Sequence, residues 1–593
     1  MEPNNTRNTV TFVVAALAIM LVYQIVFLRP AEERRQAAAK AAAAHAQVVA
    51  STPLAAPPGS PVLLSRPQAM AQSPRTQIDT PQLTGSLALK GGRIDDLYFK
   101  SYRETVDPKS PPVELFRPEG AKQAYFADFG WTGKANGPLP DSKTVWTQTD
   151  GGILSPTHPI SLVWDNGQGL RFTRAVSVDD QYLFTVIDTV ANRGPGPVQL
   201  APYGSVQRQE APQPTINAFE GATGAWDGKE VQRNFKDMKD KGVREGDTTG
   251  GWAGLTDKYW LSAFLFAPGD KAHVTYRASP VNDVTVYEAN FVGAPQTVVA
   301  GGQASHTTRL FAGVKRVSVL EKYEKELDLP RFVYAVDWGM LWFLTKPIFW
   351  LLMLFNGWVG SIGIAILMLT LVRVILTFPL YNKSFASAAE MRKLQPEIEA
   401  LKKKHPDDPA KVQQETMALY KERKLNPLAG CVPALVPIPI FLALSKVFTV
   451  SLELRHAPFG YIKDLSAPDP STWANLFGLL PWNPAAAPAI GAFLDGPLHI
   501  GILAILYGFA TWLSTSMSPQ ATTDPTQKMI FQLMPIVFAF FMAHFASGLL
   551  IYWVWSTTLS IVQQYIIMHR HKTPNPVDDL IGRLRGLQTA KPA

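Results

Sequence analysis

Residues 10–28 run 19 positions without a charge, roughly 28 Å of helix at ~1.5 Å per residue, which matches a ~30 Å hydrocarbon core. Arg29-Pro30-Ala31-Glu32-Glu33-Arg34-Arg35 follows directly, where a cleaved leader would carry a small-residue site, so residues 1–30 predict an uncleaved membrane anchor. The pattern is lost over 31–81, which is rich in Ala, Pro, Gln and Ser. Such a stretch buries too little surface to offset ordering and predicts a flexible linker. From 82 to 330 short alternating or β-branched runs appear at 160–164, 170–178, 182–190, 259–266, 273–277, 284–291 and 307–314, punctuated by Gly, Pro, Asn and Asp. This texture predicts a large antiparallel β-sandwich, followed by a short charged helix near 318–329. Residues 331–359 are aromatic and interrupted by Lys346-Pro347, which predicts a helix lying in the membrane interface. Apolar stretches at 360–380, 429–450, 498–517, 529–545 and 548–568 predict five further spans, the last two separated only by Ala546-Ser547. The expected fold is a polytopic α-helical membrane protein of six spans, five of them forming a core, with a large extracytoplasmic β-sandwich domain.

Charge orients this layout. The loop 381–428 holds ten Lys/Arg, while 451–497, of nearly equal length, holds Arg455 and Lys463. The positive-inside rule puts the first loop in the cytoplasm and the second outside. The short loop 518–528 and the basic tail 569–593 fall on the cytoplasmic side, as six spans require, and both termini are then cytoplasmic. One flank dissents, with Arg7 before the anchor and Arg29, Arg34, Arg35 and Lys40 after it, but long domains translocate largely regardless of flanking charge. The net charge of +8 is thus a membrane-protein signature, and no direct sequence-specific contact to nucleic acid is expected. A single cysteine, Cys431, excludes an internal disulfide framework and any multi-cysteine metal site. A large exported domain without a lipidation cysteine points to a bacterial inner membrane.

Chemistry-bearing motifs are sparse. GxxxxGK[ST], HExxH and GxSxG are all missing from the sequence, so neither an enzyme nor a cofactor is expected. His544 and Ser547 lie three apart at a hairpin with no base indicated on a second helix. Arg373 is the sharpest signal, because a charge in a span costs ~2.5–3.5 kcal/mol at the centre and faces a partner or a wet cavity. Two readings stand: a polar cavity, or snorkelling of the long side chain toward the headgroups near Tyr381. Lys446, four residues from the outer end of its span, reads as snorkelling. Ser556, Thr557, Gln563 and Gln564 give the last span a polar stripe, suited either to the same cavity as Arg373 or to helix–helix hydrogen bonds. In the cytoplasmic loop Met391, Leu394, Ile398 and Leu401 recur at helical spacing, His405-Pro406-Asp407-Asp408-Pro409 breaks the chain, and Val412, Leu419 and Tyr420 resume. This predicts a basic helical hairpin. It either rests on anionic lipid or docks a ribosome or targeting factor through Lys402, Lys403, Lys404 and Lys411, with Arg570 and Lys572 of the tail. Trp131, Trp146, Trp252 and Trp260 of the exported domain read as core or turn packing.

Several stretches together resemble the YidC membrane-protein insertases of Gram-negative bacteria, relatives of the mitochondrial and chloroplast insertases. They are LVRVILTFPL with Arg373, MRKLQPEIEALKKK, NPLAGCVPALVPIPIFLALSKVF, SLELRHAPF, LSAPDP, SMSPQATTDPTQKM and MPIVFAFFMAHFASGLLIYWVWSTTLSIVQQ; GLRFTRAVSVDDQYLFTVIDTVANRG and GWAGLTDKYWLSAFLFAP extend the likeness to the exported domain. The resemblance implies a core surrounding a hydrophilic groove, open to cytoplasm and lipid and closed outside, with Arg373 as its arginine. It also implies a greasy contact face for the substrate helix at Cys431, Ile438, Pro439, Phe441 and Met534, with Tyr552 and Trp553. Pro437 stands where many relatives carry Gln, and Trp553 where many carry Tyr. The implied partners are nascent hydrophobic membrane proteins, the SecYEG translocon with associated Sec components, a ribosome or targeting factor, and anionic lipids. Two other classes compete: a secondary transporter or channel in which Arg373 binds a small anion, and a glycan-binding envelope protein with passive anchors. No internal repeat supports the transporter, and the polar stripe and Pro433, Pro437 and Pro439 argue against passive anchors. Because groove, arginine and hairpin all lie within 338–570, the β-domain is expected to be largely dispensable for insertion.

Overall fold

A computed structural model describes residues 64–570 apart from 216, 282–283, 407, 424, 426–436, 481, 483, 485–486, 488–489, 495, 497 and 518–524, together with 572, 577–578 and 582. The expected anchor at 10–28 and Cys431 lie outside the described residues.

Two antiparallel sheets make the sandwich. One runs through Arg75–Asp79, Leu83–Ala88, Arg93–Arg103, Tyr125–Lys134, Val198–Gln209, Val284–Gly293, Ala272–Val281 and Arg244–Thr248; Pro112–Phe116 and Gln296–Val298 pair off this path. The other runs through Lys229–Asn234, Gly221–Trp226, Gly251–Thr256, Trp260–Phe266, Gln303–Val314, Leu183–Asn192, Leu170–Val178, Ile160–Asp165 and Thr147–Gln148. Leu170–Val178 alternates buried and half-buried residues along its whole length, as one covered sheet face requires. Trp131, Trp146 and Trp252 are core residues, and Trp260 packs on Phe99. The domain begins earlier than the composition predicts: the supposed linker over 31–81 contains the edge strand Arg75–Asp79, paired in register from Arg75 opposite Ala88 to Asp79 opposite Thr84. Ile78 is buried there, and pairing with a neighbouring strand supplies the stability that its composition lacks.

Arg174 links the sheets. It is wholly buried, its Nε and Nη2 donate to Asp188 at 2.7 and 3.1 Å, and the remaining N–H groups reach the carbonyls of Gly92 at 2.9 Å and Phe129 at 2.8 Å. The guanidinium lies over the Trp146 ring.

Helix α1 (Val317–Glu326) leads out of the sandwich, and α2 (Trp342–Val359), α3 (Ile362–Lys393), α4 (Gln395–Lys404), α5 (Pro409–Glu422), α6 (Pro437–Val450), α7 (Ile502–Met517), α8 (Pro525–Met542) and α9 (Ser547–Arg570) follow. Lys346-Pro347 does not break α2; Pro347 removes the backbone bond to the Phe343 carbonyl, and the helix runs on to Val359. Its outer side exposes Trp342, Phe343, Trp350 and Trp358. Helix α3 continues past 380 to Lys393 and carries the first hairpin arm with it.

By length and composition one helix among the described residues, over Ile362–Met391, is able to cross a membrane; Ile438–Val450, Ile502–Met517 and Leu533–Met542 are shorter apolar helices. Helix α9 is long, but its polar stripe lowers its hydropathy. The hairpin forms as the spacing predicts: Met391, Leu394, Ile398 and Tyr420 make a small buried cluster with Leu419 and Leu425 against it, and Asp408 caps α5 by accepting from the Lys411 N–H at 3.0 Å.

Candidate functional site

Arg373 sits on α3 facing α9. It is buried, its Nη1 donates to Ser556 Oγ at 2.9 Å and its Nη2 to Tyr381 OH at 3.1 Å. The guanidinium carbon lies 5.4 Å from the centre of the Tyr381 ring. Tyr381 is eight residues on, about 2.2 turns, and so shares a helix face with Arg373 and Thr377, a partner that the spacing alone makes legible. Tyr381, Phe385 and Ile567 form a small buried cluster beside the arginine on the hairpin side. Among the described residues no carboxylate lies within ion-pairing distance of Arg373, and its Nε has no hydrogen-bond partner.

The stripe on α9 meets it. Ser556 is the residue that receives the arginine, Gln563 Nε2 donates to the Phe378 carbonyl at 3.3 Å, and Gln564 is also buried. Thr557 is half-buried one position around. Arg373, Ser556 and Gln563 therefore line one seam between α3 and α9, so the polar stripe serves the arginine and helix–helix hydrogen bonding at once.

The apolar contact residues divide. Ile438, Pro439 and Met534 are exposed, while Phe441 is half-buried and packs between Phe545 and Trp553. Trp553 also meets Tyr507. Tyr552 is buried beside Trp553. On the hairpin Lys403, Lys404 and Lys411 are exposed and Lys402 half-exposed; Arg570 and Lys572 are exposed beyond α9.

Lys446 does not snorkel. Its ammonium pairs with Asp337 and donates to the Asn217 carbonyl at 2.8 Å. Asp337 also accepts from the Phe219 N–H at 2.8 Å, which ties α6 to a loop of the β-domain. Nearby, Arg455 donates to the carbonyls of Arg103 at 2.6 Å and Glu104 at 3.2 Å. A second missed residue is Asp469, buried in LSAPDP. It accepts from the Leu503 N–H and Tyr461 OH at 2.9 Å each, and from Ser471 at 2.9 and 2.7 Å. A carboxylate at the first N–H groups of α7 is favoured by their orphaned donors and the helix dipole. His544 and Ser547 bond to separate carbonyls, Gly496 at 3.0 Å and Ala467 at 2.6 Å, and form no nucleophile–base pair.

The comparisons with known proteins cover both halves of this architecture. The family model described as the YidC periplasmic domain matches residues 75–351, and that described as 60Kd inner membrane protein matches 354–574. A Caulobacter protein named membrane protein insertase YidC is 49% identical over 99% of this chain and 99% of its own length. The chain belongs to the YidC membrane protein insertase family. A YidC relative from Bradyrhizobium diazoefficiens is 42% identical over 96% of each chain. A solved YidC structure, titled as an active insertase with its first transmembrane domain resolved, aligns over 83% of this chain and 94% of its own, at 18% identity and a TM-score of 0.36. The function is membrane protein insertion, the setting is the inner membrane with a periplasmic domain, and the YidC family is not a catalytic one.

Proposed function

We propose that this insertase moves the short polar tail of a hydrophobic substrate across the membrane along a hydrophilic groove headed by Arg373, and releases the apolar helix sideways into lipid, alone or beside the SecYEG translocon. Both termini are cytoplasmic in this reading, six spans are present, and the basic hairpin receives a ribosome or targeting factor above anionic lipid. The observation that carries it is a buried arginine answered by two neutral hydroxyls, Ser556 and Tyr381, with its charge left for a visitor. A carboxylate at ~4 Å and an effective dielectric of ~20 gains ~4 kcal/mol from such a charge. Inserting an Asp costs ~2.5–3.5 kcal/mol. The two terms are comparable, so the crossing needs no ATP, and burial of the substrate's apolar helix drives the net reaction.

The test is insertion of one substrate with its tail in acidic, neutral and basic versions, scored by protease protection. Arg373→Lys is expected to keep much of the activity, Arg373→Ala to fail most for the acidic tail, and Arg373→Glu to be worst. An Arg373→Ala chain of normal abundance that handles all three tails at the original rates would eliminate the electrostatic role.

A further inference from the structure

Residues 471–494 hold 24 positions without an Asp, Glu, Lys or Arg, although they belong to a loop between two apolar helices. Within them Trp473, Leu476, Phe477, Leu479, Leu480 and Trp482 are all exposed, Leu479 at 83%. A soluble surface rarely gathers so many large apolar side chains in one place, and such a patch marks an interaction site.

The turn is held in this posture from behind. Trp473 N–H donates to the Ile500 carbonyl at 3.1 Å and its indole N–H to the Leu498 carbonyl at 2.8 Å. Asn475 Oδ1 accepts from the Gly478 N–H at 2.9 Å, and the Asn475 carbonyl from the Leu480 N–H at 3.0 Å. Leu476 and Phe477 both take left-handed backbone conformations, at φ 50° and 58°, a conformation that costs bulky residues energy. The polar groups of the turn thus bond inward, while its strained leucine and phenylalanine point out.

We infer that this turn is a lipid-seated anchor, with its apolar side chains embedded in the bilayer leaflet on the β-domain side. Three observations select lipid as the occupant. The turn is fastened to Leu498 and Ile500, just ahead of α7, whose own outer face exposes Ile505, Leu506, Phe509 and Trp512, so the patch continues a lipid-facing surface. Its two tryptophans have the amphipathic character enriched at membrane interfaces. It stands at the β-domain end of the helices, because Arg455 of the same loop bonds to Arg103 and Glu104 of that domain, and there a bilayer presents headgroups and upper acyl chains. An interfacial apolar element sinks ~5–10 Å into that layer. The inference needs only that the chain is a membrane protein and does not depend on the role given to Arg373.

The test uses the full chain in phosphatidylethanolamine–phosphatidylglycerol vesicles. Phe477→Cys and Leu479→Cys, each with Cys431→Ser, carry an environment-sensitive NBD label, and Val243→Cys on the β-domain is the reference on the same side. Both loop labels are expected to emit to the blue of the Val243 label, to be quenched more by lipids spin-labelled high on the acyl chain than by lipids labelled near its end, and to resist iodide under conditions that quench the Val243 label. Water-like emission with iodide quenching overturns the inference. So does blue emission that neither lipid quenches, which would put a protein surface, such as a second copy, over the turn. Photoreactive phosphatidylethanolamine supplies a second measurement on the unaltered chain. Adducts within residues 473–480 are expected, and their confinement to the helices overturns the inference as well.

Discussion

Replacing Arg174 by alanine leaves Asp188 buried without its cation and strips donors from the Gly92 and Phe129 carbonyls. Breaking a buried pair from one side costs ~3–5 kcal/mol, so Arg174→Ala should lower the unfolding free energy of the β-domain by that amount, read as a fall in the denaturant midpoint at unchanged m. Arg174→Met with Asp188→Leu should recover part of the loss. This residue is legible as an anomaly, because in LRFTRAVSV it occupies an inward position shared with Leu170, Phe172, Val176 and Val178, while its partner Asp188 lies on another strand that the period of this one does not reveal. Lys315 offers a pH test. Burial pushes its ammonium down from 10.5 to about 8, against the pull of Asp337, Asp257 and Glu220. Between those values the unfolded chain binds more protons than the folded one, so this lysine makes stability rise as pH increases through the window. Buried tyrosines such as Tyr125 and Tyr182, raised above their usual range by burial, oppose this above about pH 10. Lys315→Met should therefore flatten the rise between pH 8 and 9.5 in denaturant titrations, and an unchanged slope would contradict the buried charge.

At the level of elements, deletion of residues 402–411 removes the exposed tip of the hairpin with Lys403, Lys404 and Lys411. The cluster of Met391, Leu394, Ile398 and Tyr420 beneath it has no member in the deleted stretch. Insertion and ribosome cosedimentation should both fall severalfold at equal abundance; normal values of both would leave only a lipid-resting role. This hairpin, like the strands at 170–178 and 284–291, was legible because its stability is local and periodic. Gly221–Trp226 and Gly251–Thr256 went unread, since all twelve residues are buried and a strand covered on both faces has no alternation to detect. The glycines there are required by close backbones, as a Cβ on Gly254 would stand 2.0 Å from the Ser262 carbonyl oxygen. The strand Arg75–Asp79 was hidden for another reason: its neighbours in sequence are Ala- and Pro-rich, and its support comes from pairing.

Across the whole molecule, the ion pair of Lys446 with Asp337 joins residues 109 apart, a distance at which no local pattern carries information. Asp337→Ala would leave the ammonium with the Asn217 carbonyl alone, at a cost of ~1–3 kcal/mol. Thermal unfolding of the full chain should report that loss, and Lys446→Met together with Asp337→Leu should restore it in part. The β-domain is thus less separable from the core than its place in the sequence implies, because α6 and the loop after it lean on Asn217, Arg103 and Glu104. The other fastenings lie at the same end: Ser547 on Ala467, Gly548 on Leu465, and Asp469 on the start of α7. At the hairpin end, α3 and α9 meet through Arg373, Ser556 and Gln563, single hydrogen bonds between side chains or onto one carbonyl. Among the described residues, the fastenings that reach backbone N–H groups and carbonyls between elements thus gather mostly at the β-domain end. That end is expected to be the stiffer one, with the backbone amides of Leu503 and Ser547 exchanging more slowly in the full chain than those of residues 402–411.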